Sequence, residues 1–162
     1  MNINRKFREF YEKHKNRLFN YLMRMSGDYE LARDLMQESF TRYLEHYRGK
    51  PQSVSLLYTI ARNALLDNLR RRERTITFNE EEENQGSRDQ EQIFLVRDEY
   101  RRVLSAMGQL EDAERDTLAL VISTSLSYKE IASITGMSEA NVKVKVHRAR
   151  IKLKEILCEG GQ

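Results

Sequence analysis

The sequence predicts an all-α protein: two small helical domains joined by a flexible acidic linker. Three observations predict it. Apolar residues recur at helical spacing through both ends of the chain. Turn formers are scarce, with one Pro and seven Gly, while good helix formers such as Leu, Arg, Glu and Lys are frequent. Between the two ends, residues 75–90, TITFNEEEENQGSRDQ, lose the period and turn acidic and polar, as a linker does.

The first helix spans 5–25, with Phe7, Phe10, Tyr11, Leu18, Tyr21, Leu22 and Met25 near one stripe. Ser26-Gly27-Asp28 breaks it, and Asp28 is placed to cap the next helix. That helix, 29–47, gathers Leu31, Leu35, Met36, Phe40, Tyr43, Leu44 and Tyr47 on one broad face. Its opposite face carries Asp34, Gln37, Glu38, Thr41 and Glu45. Arg48-Gly49-Lys50-Pro51 ends it. The third helix, 53–74, packs inward with Leu57, Ile60, Ala61, Ala64, Leu65 and Asn68. It turns Thr59, Asn63, Leu66 and Arg70 outward and runs into Arg70-Arg71-Arg72.

Beyond the linker the pattern resumes at Gln92, with Ile93, Val96, Tyr100, Val103 and Leu104, up to Met107-Gly108. Glu111 to Ser123 follows, with Ala113, Thr117, Leu120 and Val121 on one face. Ser127-Tyr128-Lys129-Glu130 has the form of a capping box, with Ser127 as cap and Glu130 reaching back. Ile131, Ala132 and Ile134 carry that short helix to Thr135-Gly136-Met137-Ser138. Gly136 supplies the permissive φ of a tight turn, and Ser138 caps a second helix. Two helices joined in this way make a helix-turn-helix.

The second helix needs justifying, because Val142-Lys143-Val144-Lys145-Val146 alternates like a strand. Alternation lasts five residues and then fails. Val142, Val146, Ala149, Leu153 and Ile156 instead fall at i, i+4, i+7, i+11 and i+14, a helical stripe of four turns. Its outward face holds Ala140, Asn141, Lys143, Val144, His147, Arg148 and Ile151. The second helix of such a motif enters the major groove with its N-terminal residues at base edges. Later Lys and Arg hold phosphates, and an apolar Val144 suits a thymine methyl or a small protein contact.

Charge points to the same partner. Net charge is only +3, yet residues 1–74 carry 16 Lys/Arg against 9 Asp/Glu. Residues 75–99 carry 2 against 8, and residues 100–162 carry 10 against 8. Two basic blocks flanking an acidic segment suit a polyanion such as nucleic acid; a solvated helix face is the plain alternative. No apolar run approaches the ~18 residues of a membrane span, and the charged N-terminus lacks the apolar core of a signal peptide. One cysteine, Cys158, cannot form an internal disulfide, which fits a reduced cytoplasmic protein. His14, His46 and His147 lie far apart, so no metal spacing and no cofactor is expected.

At this point the chain resembles the extracytoplasmic-function sigma factors, the small two-domain members of the bacterial sigma family. In the first half the resemblance rests on Ser26-Gly27-Asp28-Tyr29-Glu30-Leu31-Ala32-Arg33-Asp34-Leu35-Met36-Gln37-Glu38-Ser39-Phe40, Tyr58-Thr59-Ile60-Ala61-Arg62-Asn63, Asp67 and Arg70-Arg71-Arg72. In the second it rests on Leu110, Arg115, Leu126 to Ala132, Gly136-Met137-Ser138, Val142-Lys143 and His147 to Arg150. Both halves, in this order and across an acidic linker, make the match specific. The resemblance implies a region 2 domain over 1–74, a linker over 75–91 and a region 4 domain over 92–162.

It further implies a non-enzymatic subunit that binds core RNA polymerase at the clamp helices of the largest subunit and at the flap, and directs it to promoter DNA. Asp34, Gln37, Glu38, Thr41 and Glu45 are then the polymerase-binding stripe. Thr59, Arg62, Asn63, Asp67, Arg70 and Arg71 face the upstream melted (minus-ten) element. Ser138, Ala140, Asn141, Lys143, Val144, His147 and Arg148 read the minus-thirty-five element. An anti-sigma protein, often membrane-anchored, is an implied partner. The expected free chain is a cytoplasmic monomer that does not itself insert into membrane.

The sequence departs from the family in two places. Leu56 stands where many members carry Trp. The recognition helix reads Ala140-Asn141-Val142-Lys143-Val144-Lys145 where Gly-Thr-Val-Lys-Ser-Arg is common, which bears on promoter preference. The residues admit two other readings. A homodimeric operator-binding regulator would need a ligand pocket or dimer seam in 1–74, and neither is evident. A nucleic-acid enzyme would need more than Asp34 and Glu38 one turn apart: a third ligand, a Gly-rich phosphate loop or a nucleophile–base pair.

Overall fold

The computed structural model describes residues 2–78 and 98–160, and these form seven α-helices and no strand. They are α1 (Ile3–Ser26), α2 (Tyr29–Tyr47), α3 (Val54–Phe78), α4 (Asp98–Gly108), α5 (Asp112–Ser123), α6 (Tyr128–Thr135) and α7 (Glu139–Glu159). Helix α3 runs on to Phe78, four residues past its expected end. No Gly or Pro stands between Arg71 and Phe78, and the acidic run begins only at Glu80. The rest of the expected linker, and the helical pattern expected over 92–97, lie outside the described residues.

Local chemistry sets the boundaries. Gly27 ends α1 at φ 66, with its N–H bonded to Met23 O. Only a residue without Cβ adopts that conformation at little cost. Asp28 Oδ1 then accepts from Leu31 N–H at 3.1 Å and caps α2. The Tyr43 hydroxyl accepts from Ser53 N–H at 2.8 Å, and Ser53 Oγ accepts from Leu56 N–H at 3.2 Å, so α2 fixes where α3 begins.

Helices α1 to α3 bury Phe10, Leu18, Tyr21, Leu22, Leu31, Leu35, Phe40, Tyr43, Leu57, Ala61 and Leu65, close to the stripes expected from spacing. Phe10 stacks on Tyr43, with ring centroids 5.1 Å apart, and meets Phe40 edge-on. Tyr47 and Leu44 are half-buried, and Ile60 and Asn68 sit at the rim rather than in the core.

In the second half α5 is the central helix. It buries Thr117, Leu118, Ala119 and Leu120 and packs against α1, α6 and α7. Its two buried acids, Glu114 and Asp116, both have cationic partners. Glu114 takes Lys152 Nζ at 2.9 Å, and Asp116 takes Arg62 Nε at 2.6 Å. The Arg115 guanidinium donates to the carbonyls of Met107, Gly108 and Leu110 and so closes the end of α4. Arg102 of α4 donates to Leu157 O near the end of α7. The two halves touch: α1 packs on α4 and α5, and α3 packs on α6.

Candidate nucleic-acid interface

The helix-turn-helix is built as its sequence implies. Ser127 and Glu130 form both bonds of the capping box, Ser127 N–H to Glu130 Oε2 at 2.8 Å and Glu130 N–H to Ser127 Oγ at 3.1 Å. Gly136 sits at φ 76 and ends α6 through its N–H to Ala132 O. Ser138 Oγ accepts from Asn141 N–H at 3.1 Å and opens α7. Val142, Val146 and Ala149 are buried against the rest of the half.

This seating leaves the whole expected reading face in solvent. Ser138, Ala140, Asn141, Lys143, Val144, His147 and Arg148 are all exposed, and Val144 and Ile151 are among the few large apolar side chains that are. Two of the basic residues in this stretch are committed elsewhere. Lys145 is turned onto Glu111 at 3.2 Å, and Lys152 onto Glu114. Lys143, Arg148, Arg150 and Lys154 make no ion pair with the described residues and remain for a polyanion.

On α3, Asn63, Asp67 and Arg70 are exposed at i, i+4 and i+7, with Arg71 exposed beside them. Asp67 and Arg70 approach to 4.0 Å, a loose surface pair. The other two expected members are placed differently. Thr59 is half-buried and donates back to Ser55 O at 2.9 Å. Arg62 is turned inward onto Asp116 of α5, with only 19% of its side chain exposed. Sequence reasoning missed that contact, though its signal was present. Asp116 stands at i+3 from Ala113 and four before Leu120, an acid on an apolar stripe.

Around this pair lies a polar seam between the halves. The Tyr21 hydroxyl, with Tyr21 fully buried, donates to Asp116 Oδ1 at 2.9 Å. Burial, and then the Asp116 carboxylate, push the Tyr21 phenol well above its usual pKa, so it stays a donor. Arg24 donates to Ser123 Oγ at 2.7 Å. A cavity of about 460 Å³ adjoins the seam, lined in part by Lys13, His14, Arg17, Tyr58 and Ser125.

The α2 stripe is a third exposed face. Asp34, Gln37, Glu38, Thr41 and Glu45 all lie in solvent along more than three turns. Arg33 pairs with Asp34 and Arg42 with Glu38, both exposed and therefore weak. Among the described residues, no three His, Cys, Asp or Glu side chains cluster as metal ligands, and no helix is long and apolar enough to cross a membrane.

Known proteins share both halves. The family model described as Sigma-70 region 2 matches residues 10–75, and Sigma-70, region 4 matches residues 100–153. The ECF RNA polymerase sigma factor SigM of Bacillus subtilis (strain 168) is 32% identical over 155 residues, covering 94% of this chain and 95% of that protein. The RNA polymerase sigma factor YlaC of the same organism is 33% identical over 155 residues, covering 91% of this chain and 89% of that protein. The fold is similar to that of the sigma factor RpoE, solved in complex with the anti-sigma factor NepR from Bartonella quintana. That TM-score is 0.76 at 20% identity, over 94% of this chain and 96% of that one. It is also similar to CnrH, solved with the cytosolic domain of CnrY, with a TM-score of 0.70 at 21% identity over 96% and 90% of the two chains.

Proposed function

The chain belongs to the extracytoplasmic-function RNA polymerase sigma factors, and from that premise we propose how its three exposed faces divide the work. As a sigma factor it binds core RNA polymerase and promoter DNA. It acts by binding, without bond chemistry of its own, and works in the cytoplasm where its polymerase is.

Region 2 is residues 1–74, with α3 carrying the same helix on to Phe78, and region 4 is 92–162, with 75–91 between them. The stripe Asp34, Gln37, Glu38, Thr41 and Glu45 docks on the clamp helices of the largest polymerase subunit, and region 4 engages the flap. Exposure of five polar side chains along one helix face supports this role. Thr59, Arg62, Asn63, Asp67, Arg70 and Arg71 face the melted upstream element. Melting unstacks bases at a cost of a few kcal/mol per step, which a protein offsets by gripping the backbone and pocketing exposed bases. The exposed α7 face, Ser138 to Arg148, reads the duplex element. An anti-sigma protein covering these faces is the proposed regulator of the chain, which is monomeric when free.

The observation that carries this reading is that both sigma regions, in order, expose the α2 stripe, the α7 face and the α3 edge of Asn63, Asp67, Arg70 and Arg71. The test is in vitro transcription with purified core polymerase and a library of promoter-sized duplexes. Transcripts from defined sites only when the chain is present are expected, and the selected sequences give both elements. Duplex binding by a homodimer with no transcripts would replace it with the operator-binding reading.

A further inference from the structure

Asp116 of α5 sits at the boundary between the halves, 5% exposed, and both of its oxygens are held by region 2. Oδ1 takes the Tyr21 hydroxyl at 2.9 Å, and Oδ2 takes Arg62 Nε at 2.6 Å. Two flanking bonds run the same way, from Arg24 to Ser123 and, more loosely, from Arg17 to Ser125 at 3.5 Å. Every one of these links joins a donor on region 2 to an acceptor on region 4. We propose that Tyr21, Arg62 and Asp116 form an intramolecular latch that holds the halves closed and withdraws Arg62 from promoter DNA. The Asp116 carboxylate then occupies the guanidinium that a phosphate would otherwise take. This rests on the placement of Arg62 at the melted element.

The chemistry suits a contact that must open. Carboxylate and phosphate oxygens present the same charge-assisted acceptor to an arginine, so one displaces the other without new geometry. A buried ion pair is worth little net, because desolvation offsets most of its attraction. When the halves part, Arg62 and Asp116 both regain water, and neither is stranded in a dry site. The closed chain still exposes the α2 stripe and the α7 reading face, while Arg62 is covered. Polymerase can therefore take up the closed form first, and opening follows on the enzyme.

The experiment uses the full chain labelled for energy transfer at Cys158, exposed at the end of α7, and at E12C on the exposed side of α1. D116N keeps the shape of the side chain and removes its charge. Expected are lower transfer and about tenfold tighter binding of a single-stranded 20-mer of mixed sequence. That gain follows if a competent fraction of roughly a tenth becomes nearly all. Core-dependent transcription by D116N should persist. Unchanged transfer overturns the latch, and lower transfer with unchanged oligonucleotide affinity overturns the masking of Arg62. The charge swap R62D/D116R guards against misfolding: it should restore the transfer that R62D alone loses, and failure to restore it also overturns the latch. Absence of transcription by the wild-type chain would instead overturn the sigma reading, while the transfer measurement still reports on closure.

Discussion

Lys152 of α7 reaches Glu114 of α5 with its Nζ 2.9 Å from Oε1, and that glutamate is only 1% exposed. The other oxygen, Oε2, has no hydrogen-bond partner among the described residues. A single half-exposed lysine thus neutralises a carboxylate inside the helix-turn-helix domain. Lys152→Ala is expected to destabilise the chain by about 1–2 kcal/mol, a buried-group penalty discounted for solvent around the lysine. Urea midpoints measure it. Adding Glu114→Gln should recover part of the loss; no recovery would mean that the lysine stem, not its charge, matters.

Arg148 lies in solvent on α7 with no ion pair to the described residues. Arg148→Ala should weaken promoter binding and lower the slope of log affinity against log salt by about 1, the signature of one lost phosphate contact. Anisotropy titrations across salt concentrations give the slope. An unchanged slope with weaker binding would place Arg148 at a base edge instead.

Asn63 and Arg70 share the exposed edge of α3. The double variant Asn63→Ala with Arg70→Ala should impair open-complex formation while leaving affinity for core polymerase intact. Permanganate footprinting reports the first and a pull-down titration the second. Equal losses in both would remove α3 from the melting role.

Glu38 and Asp34 belong to the α2 stripe, and their ion pairs are surface pairs of little worth. Asp34→Arg with Glu38→Arg should therefore leave the melting temperature within a few degrees of wild type. If the stripe docks as proposed, reversing two of its acids should lower affinity for core polymerase at least about tenfold, since charge mismatched at an interface costs several kcal/mol. Affinity that survives the reversal would argue against the stripe as the docking face.

His14 lines the cavity between the halves, where burial, then Lys13 and Arg17, lower its pKa from 6.5. Around and just below pH 6.5 the unfolded chain binds the imidazole proton more fully than the folded chain does. Stability therefore rises with pH through that window and is lost as pH falls into it. His14→Gln should flatten this dependence. Comparing urea midpoints at about pH 7.5 and about pH 5.5 checks it: the wild type should lose more than the variant.

The helices of the described residues were legible because each carries its own punctuation. Asp28, Ser127 and Ser138 cap as expected, Gly27 and Gly136 take the left-handed conformation, and α2 begins and ends where the period says. The exposed faces of α2 and α7 were legible for the same reason, since a helical wheel separates wet from dry within one element. Arg62 shows where the wheel stops. It points away from its own helix's core, but α5 lies over that direction, and its partner Asp116 is 54 residues away. Glu114 and Lys152 are likewise 38 residues apart. Periodicity carries no information at that range, although an acid on an apolar stripe does announce that a partner must exist.

Helix α7 has 21 residues, so it is a rod about 30 Å long. One end exposes Asn141 and Lys143, the residues proposed to meet base edges, and near the other end Leu157 is tied to Arg102 of α4. Tilting such a rod by ten degrees about its tied end moves the tip by roughly 5 Å, more than the 3.4 Å between successive bases along a strand. If α7 reads bases as proposed, the Arg102 bond and the three carbonyls gathered by Arg115 would set the aim of that rod. Slack at a hinge that never touches DNA would surface as a frame error in which base pair is read.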